Sequence, residues 1–154
     1  MNNKLSKLIY LIVCFGFFLF TDLFFTRMLY HSISGGFAYS GKLFDVTFVK
    51  NTGAAFNLLP NAREFLIILA VIVLTLLFLY MIKNLKSIWM KEIFFITLLC
   101  AGISGNLHER IVLGYVRDFF HCKVINFPVF NISDIYINIA VIALVIIILL
   151  KKTK

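Results

Sequence analysis

Charge is the scarcest property of this chain. Asp, Glu, Lys and Arg make up 14% of its 154 residues, where a soluble globular domain carries roughly 25%. That shortage excludes an ordinary water-soluble fold. Cysteine is rare and scattered: Cys14 and Cys100 sit inside apolar runs and Cys122 stands alone in a connection, so no spacing supports a disulfide framework or a structural metal. Neither His108 nor His121 has a serine or cysteine at a recognised motif spacing, which removes the usual covalent nucleophiles. Metal ligation by His108, Glu109, His121 and Asp118 would need a ligand spacing that is missing. No length remains for a separate extramembrane domain, and residues 1–154 read as one integral-membrane domain.

What is there is apolar: 62% hydrophobic residues, among them 18 Phe, and a mean hydropathy of +0.99. Four segments approach the length of about 20 residues needed to cross a bilayer. The first runs from about Leu8 to Leu29, interrupted by Thr21, Asp22 and Arg27; the second, Phe65 to Ile82, holds no charge. The third, about Ile93 to Leu107, ends in Gly102, Ser104, Gly105 and Asn106, and the fourth runs from about Ile135 to Leu150. The first begins like a signal peptide but continues through Leu29 without a small-residue cleavage pattern, so a retained span is expected. The formal net charge is +8, yet the basic residues fall in short clusters between apolar runs, suited to lipid headgroups and not to nucleic acid. They are densest beside the termini and in the short second connection (Lys4, Lys7, Lys83, Lys86, Lys91, Lys151, Lys152 and Lys154). The positive-inside rule then predicts both termini in the cytoplasm.

The two remaining connections lie together on the opposite side. Lys42–Lys50 alternates in part, as strands at a membrane surface do, and Asn51-Thr-Gly-Ala-Ala-Phe56 suits a tight turn or close backbone approach. The second, residues 110–133, carries Asp118, His121, Asn126, Pro128 and Asn131, with Asp134 immediately after. Carboxylates rarely stay near hydrocarbon without a function. Two of them a few ångströms apart hold one proton between them and can activate water, with no metal, cofactor or covalent intermediate. Asp134 also suits the N-cap of the fourth segment, as Ser133 does, a role worth about 1 kcal/mol. From spacing alone, capping and catalysis both stay open. Asn51, Asn106 and Asn131 can orient carboxylates and hold substrate backbone, or cap helices and turns. Gly102 and Gly105 suit close helix packing, and Phe127 and Phe130 suit interfacial packing.

In order along the chain stand Asp22, Asn51–Phe56, Ala101-Gly-Ile-Ser-Gly-Asn-Leu-His-Glu-Arg110, Gly114-Tyr-Val-Arg-Asp-Phe119 and Phe127-Pro-Val-Phe-Asn-Ile-Ser-Asp134. With four spans between them, these motifs resemble the lipoprotein signal peptidases (signal peptidase II) over essentially the whole chain. The resemblance implies an all-α membrane protein, four transmembrane helices with a small extracytoplasmic β-sheet cradle. It also implies an aspartyl endopeptidase that cuts diacylglyceryl-modified prolipoproteins before the lipidated cysteine. Asp118 and Asp134 match the catalytic dyad; Asn51, Gly53, Asn106, Glu109, Arg110 and Asn131 match the supporting polar residues, with Asp22 buried in the bundle. Cyclic peptides of the globomycin type are expected in the same cleft, membrane lipids around it, and a monomer, since a single dyad requires no partner subunit.

Some positions depart from the family pattern. Leu23 stands where Gln is usual, Thr26 where Lys is usual with Arg27 one place later, Glu109 where Asp is usual, and Ser104 within a run that is commonly glycine-rich. Arg110 is expected to reach an acidic partner or a lipid headgroup. A non-catalytic lipoprotein-binding protein on the same scaffold would bind precursors without cutting them. A small transporter is disfavoured by the lack of an inverted repeat.

Overall fold

The computed structural model describes residues 4–53, 62–124 and 127–152. Ala54, Ala55 and Phe56 of the expected turn, and Asn126, lie outside the described residues. The order is α1 (Lys4–Ser34), β1 (Tyr39–Ser40), β2 (Phe44–Asn51), α2 (Arg63–Lys83), α3 (Met90–Val112), β3 (Val116–Cys122) and α4 (Ile132–Lys152). All four helices are long and apolar enough to cross a membrane. The architecture is the expected one, a mostly helical membrane protein with a small antiparallel sheet.

α3 is the central helix. Half of its most apolar window is buried, against 11%, 6% and 17% for α1, α2 and α4, and it packs against all three. Its sequence explains why: Cys100, Ala101, Gly102 and Gly105 are small and buried, and small residues let membrane helices approach closely. A methyl on Gly102 would come within 2.5 Å of the Ser133 carbonyl oxygen, and one on Gly105 would overlap the Asp22 carboxylate and the Ser133 hydroxyl. The outer faces are the reverse of a soluble protein's, with Ile12, Phe20, Leu76 and Ile142 all exposed, as lipid-facing surfaces are.

The third span was expected to stop near Leu107, because glycine, serine and asparagine cluster there. α3 instead continues to Val112. Gly102 and Gly105 face neighbouring helices, and the helix ends where Arg63 Nε donates to the Arg110 carbonyl at 2.9 Å and Gly114 takes a φ of +83°. The extension puts Asn106, Glu109 and Arg110 on the last two turns of α3. It also frees residues 116–122 to form β3, a strand the sequence reading treats as part of a connection.

The helix ends sort into two levels. Lys7 Nζ donates to the carbonyls of Lys86 and Ile88, and Lys151 Nζ donates to Glu92 Oε1 at 2.6 Å. These bonds gather the starts of α1 and α3, the α2–α3 turn and the end of α4 at one end. At the other end lies the sheet, ordered β1-β2-β3 and antiparallel throughout. The β2–β3 register slips between Val46 and Val49, then resumes with Val49 opposite Asp118 and Asn51 opposite Val116. Cross-strand partners share a face, so this register sets Asn51 diagonally beside Asp118.

Candidate active site

Asp118 and Asp134 come from different elements and meet on one cavity of about 300 Å³. Asp118 is the third residue of β3 and is 2% exposed. Asp134 lies in the first turn of α4. Asn131, Asn106 and Asn51 connect them. The Nδ2 of Asn131 donates to Asp118 Oδ1 at 2.8 Å and to Asn106 Oδ1 at 3.0 Å. Asn106 Nδ2 donates to Asp134 Oδ1 at 2.9 Å, and Asn51 Nδ2 donates to Asp118 Oδ2 at 2.9 Å.

The start of α4 corrects the expected cap. Asn131 is the N-cap: its Oδ1 accepts the Asp134 N–H at 2.9 Å, and its own N–H donates to Asp134 Oδ2 at 3.2 Å. This reciprocal pair is a capping box with Asp at the third helical position. Asp134 therefore takes part in the cap through Oδ2, while its Oδ1 is held by Asn106 on the cavity side. Ser133 does neither. Its hydroxyl turns into the bundle and lies 2.9 Å from both Asp22 oxygens. Asp22 is 1% exposed and takes these hydrogen bonds from a hydroxyl of α4.

Burial pushes the Asp118 carboxyl up to about 6, with the charges of Asp134 and Glu109 adding to the rise and the Asn51 and Asn131 hydrogen bonds opposing it. A carboxyl in that range changes protonation close to neutral pH, as general acid–base groups do.

The other predicted residues divide into wall and frame. Asn51, Asn106, Arg110 and Asn131 line the cavity with the two aspartates; Asp22, Gly53 and Glu109 do not. Arg110 holds neither an acidic partner nor the outer surface: Nη2 donates to the Gly53 carbonyl at 2.8 Å and Nη1 to the Asn106 carbonyl at 3.2 Å. Gly53 is fixed from both sides, since its N–H donates to Asn51 Oδ1 at 2.9 Å. Glu109 is buried against Arg117, accepting from its main-chain N–H and from Nε, each at 2.7 Å. Phe127 and Phe130, expected as interfacial packing, form cavity wall with Pro128 and Val129.

The four residues weighed as metal ligands are not assembled. Glu109 is engaged by Arg117, and His121 faces Asp45 at 3.8 Å on the sheet, where Lys123 also binds Asp45 and holds its carboxyl below the ordinary range. Among the described residues no group of three or more His, Cys, Asp or Glu is placed to hold a metal ion.

Sequence reasoning gave Arg117 and Asn138 no role, and gave Ser133 a cap in place of its bond to Asp22. Arg117 and Ser133 each adjoin one of the two aspartates, and a buried acid elsewhere in the chain needed a partner, which was the available signal. Asn138 lines the cavity, and its signal is a polar residue inside an apolar run.

Residues 10–150 match the family model described as signal peptidase (SPase) II. The chain is 37% identical over 106 residues to a lipoprotein signal peptidase of Streptococcus thermophilus, covering 68% of each. It is 39% identical over 112 residues to one of Lactococcus lactis subsp. lactis, covering 71% of this chain and 72% of that one. Two solved bacterial membrane enzymes share the fold. One has a TM-score of 0.78 and 30% identity over 94% of this chain and 89% of its own, the other 0.75 and 28% over 90% and 92%. A multi-pass chain that matches this family along nearly its whole length, on the fold of known membrane enzymes, belongs to the signal peptidase II family, the proteases that remove signal peptides from lipoproteins.

Proposed function

We propose that the protein is an aspartyl endopeptidase that cleaves diacylglyceryl-modified prolipoproteins before the lipidated cysteine, with Asp118 and Asp134 as its catalytic dyad. The observation that carries this reading is Asn131. One residue donates its side-chain N–H to Asp118 and its main-chain N–H to Asp134, so the two carboxyls are held in fixed relation on one cavity wall.

Two carboxyls in such a site carry one proton between them. The ionised one takes a proton from water as the oxygen attacks the scissile carbonyl carbon, and the protonated one donates to the carbonyl oxygen, giving a neutral gem-diol. On collapse, the newly protonated carboxyl gives its proton to the departing nitrogen and the other recovers one from a gem-diol hydroxyl. The C–N bond breaks, the signal peptide leaves with a new carboxyl terminus, the lipidated cysteine keeps a free amine, and the dyad returns to its starting state. No cofactor is required.

The lysine-rich helix ends face the cytoplasm and the sheet faces out, which puts the cavity near the outer surface of the cytoplasmic membrane. The lipidated precursor enters sideways between helices with its acyl chains left in the bilayer. Globomycin-like cyclic peptides compete for the same cleft. The enzyme works as a monomer, because both carboxyls come from one chain.

Asp118→Asn and Asp134→Asn test the assignment. Each should remain folded and lose at least about 10³-fold in turnover of a lipid-modified precursor, the scale of a general acid–base group. Full turnover by both variants refutes the dyad. A precursor bound but never cut by the unaltered protein refutes catalysis altogether.

A further inference from the structure

From Ile135 to Leu150, α4 is apolar at every position except Tyr136 and Asn138. Tyr136 is accounted for: its hydroxyl pairs with Thr21 Oγ1 of α1 at 3.0 Å. Asn138 is exposed and lines the same cavity as Asp118 and Asp134. It stands one turn beyond Asp134, about 6 Å along the helix at 1.5 Å per residue, in the direction away from the sheet and into the span. One amide hydrogen goes to the Asp134 carbonyl at 2.9 Å. The second hydrogen and Oδ1 have no partner among the described residues. An amide left open at that depth is unfavourable unless something polar arrives to meet it.

We propose that Asn138 is a specificity-determining residue that hydrogen-bonds the main chain of the signal peptide on the membrane-buried side of the scissile bond. The proposal rests on the dyad reading above for where that bond lies. A peptide bond open to attack has left its helix. On the signal side of the cut, the unwound residues reach into the span, where lipid offers their N–H and C=O groups no partner. Each peptide group presents one donor and one acceptor; Asn138 offers one acceptor and one remaining donor. The side chain selects for extended backbone at this depth, whatever the side-chain sequence of the precursor. That suits an enzyme whose substrates share an apolar signal segment.

The test is a coupling cycle in detergent or bilayers on a diacylglyceryl-modified precursor. Asn138→Leu should raise KM about tenfold, the worth of one hydrogen bond in binding, with kcat within about twofold. Precursors in which each of the three peptide bonds on the signal side of the cut is replaced in turn by an ester lose one main-chain donor apiece. At one of these positions the ester should raise KM about as much in the wild type and add nothing in Asn138→Leu. Should the leucine variant fail to fold, Asn138→Ala, which suits a helix interior, carries the same expectation. An unchanged KM, a loss confined to kcat, or additive losses at all three positions overturns the proposal. Asp118→Asn and Asp134→Asn, run alongside, separate the two readings. Their full turnover sinks the dyad whatever Asn138 does, whereas inactive aspartate variants with additive ester losses sink only the role of Asn138.

Discussion

Asn131 performs two tasks that substitution can pull apart. Its Oδ1 and main-chain N–H cap α4, and its Nδ2 ties Asp118 to Asn106. Serine is about as good an N-cap as asparagine, so Asn131→Ser should keep helix stability within a few tenths of a kcal/mol while removing both Nδ2 bonds. A hydrogen bond to a charged carboxylate is worth about 1.5–3 kcal/mol. Expressed wholly in the transition state, that predicts a loss in kcat/KM of about 10- to 150-fold. Asn131→Asp also keeps the cap, but an oxygen now faces Asp118 Oδ1 across the 2.8 Å gap; activity should fall below that of the serine variant. Asn131→Ala loses cap and bridge together and should unfold about 1 kcal/mol more easily. The assay pairs thermal unfolding in detergent with mass-resolved cleavage of a lipid-modified precursor. If Asn131→Ser turns over within twofold of wild type, or if activity across the three variants merely follows stability, the bridge is not what holds the dyad.

Further tests address the surroundings. Asn51 donates to Asp118 and keeps its pKa from rising further, so Asn51→Leu should move the inflection near pH 6 in kcat/KM upward by about one unit, since one unit corresponds to 1.36 kcal/mol; a downward or absent shift contradicts the assignment. For Asp118 itself the folded carboxyl binds its proton more tightly than the unfolded one, so its contribution to stability is present at pH 4 and lost as pH rises through about 6. Unfolding curves for Asp118→Asn should lack that decline, which for one group cannot exceed about 1.4 kcal/mol per pH unit. Gly105→Ala should destabilise by about 1–3 kcal/mol through overlap with Asp22 and Ser133, while Gly16→Ala, with nothing within 4 Å of the added carbon, should be neutral or mildly stabilising in the same melt. Glu109→Gln leaves Arg117 without its acid and should cost about 3 kcal/mol, much of it recovered when both residues become leucine.

How far the sequence could be read is best seen at α3 and β3. The four apolar runs are long, and length with hydropathy is enough to find membrane helices. The strand at Phe44–Asn51 was visible because valine, threonine and phenylalanine alternate with polar residues. β3 was not. Val-Arg-Asp-Phe-Phe-His-Cys has no two-residue period, because Arg117 and Asp118 are both drawn inward, one to Glu109 and one to the cavity. The end of α3 was misread for a related reason. Glycine and serine mark helix ends in water, but at Gly102 and Gly105 they mark a helix crossing, and only the presence of α1 and α4 reveals which. The residues around the aspartates were legible through family motifs. Their connections were not, since the asparagine chain depends on a diagonal placement across strands and on a capping box, neither of which leaves a spacing in the sequence.

Those connections also explain why the site tolerates its position. A lone polar group at the edge of hydrocarbon is costly, and a half-satisfied network is worse than none. Here each of Asn51, Asn106 and Asn131 bonds one carboxylate oxygen through Nδ2 while its Oδ1 accepts from a neighbour: Asn51 from Gly53, Asn106 from Asn131, and Asn131 from the start of α4. Arg110 then closes the ring through the Gly53 and Asn106 carbonyls without neutralising either aspartate by a direct ion pair. That choice of partners has a chemical consequence. An arginine in contact with Asp118 would hold its carboxyl low and ionised across the working range, whereas amide donors steady the carboxylates and leave Asp118 near 6. The same side chains that make the aspartates bearable at this position leave Asp118 able to gain and lose a proton near pH 6.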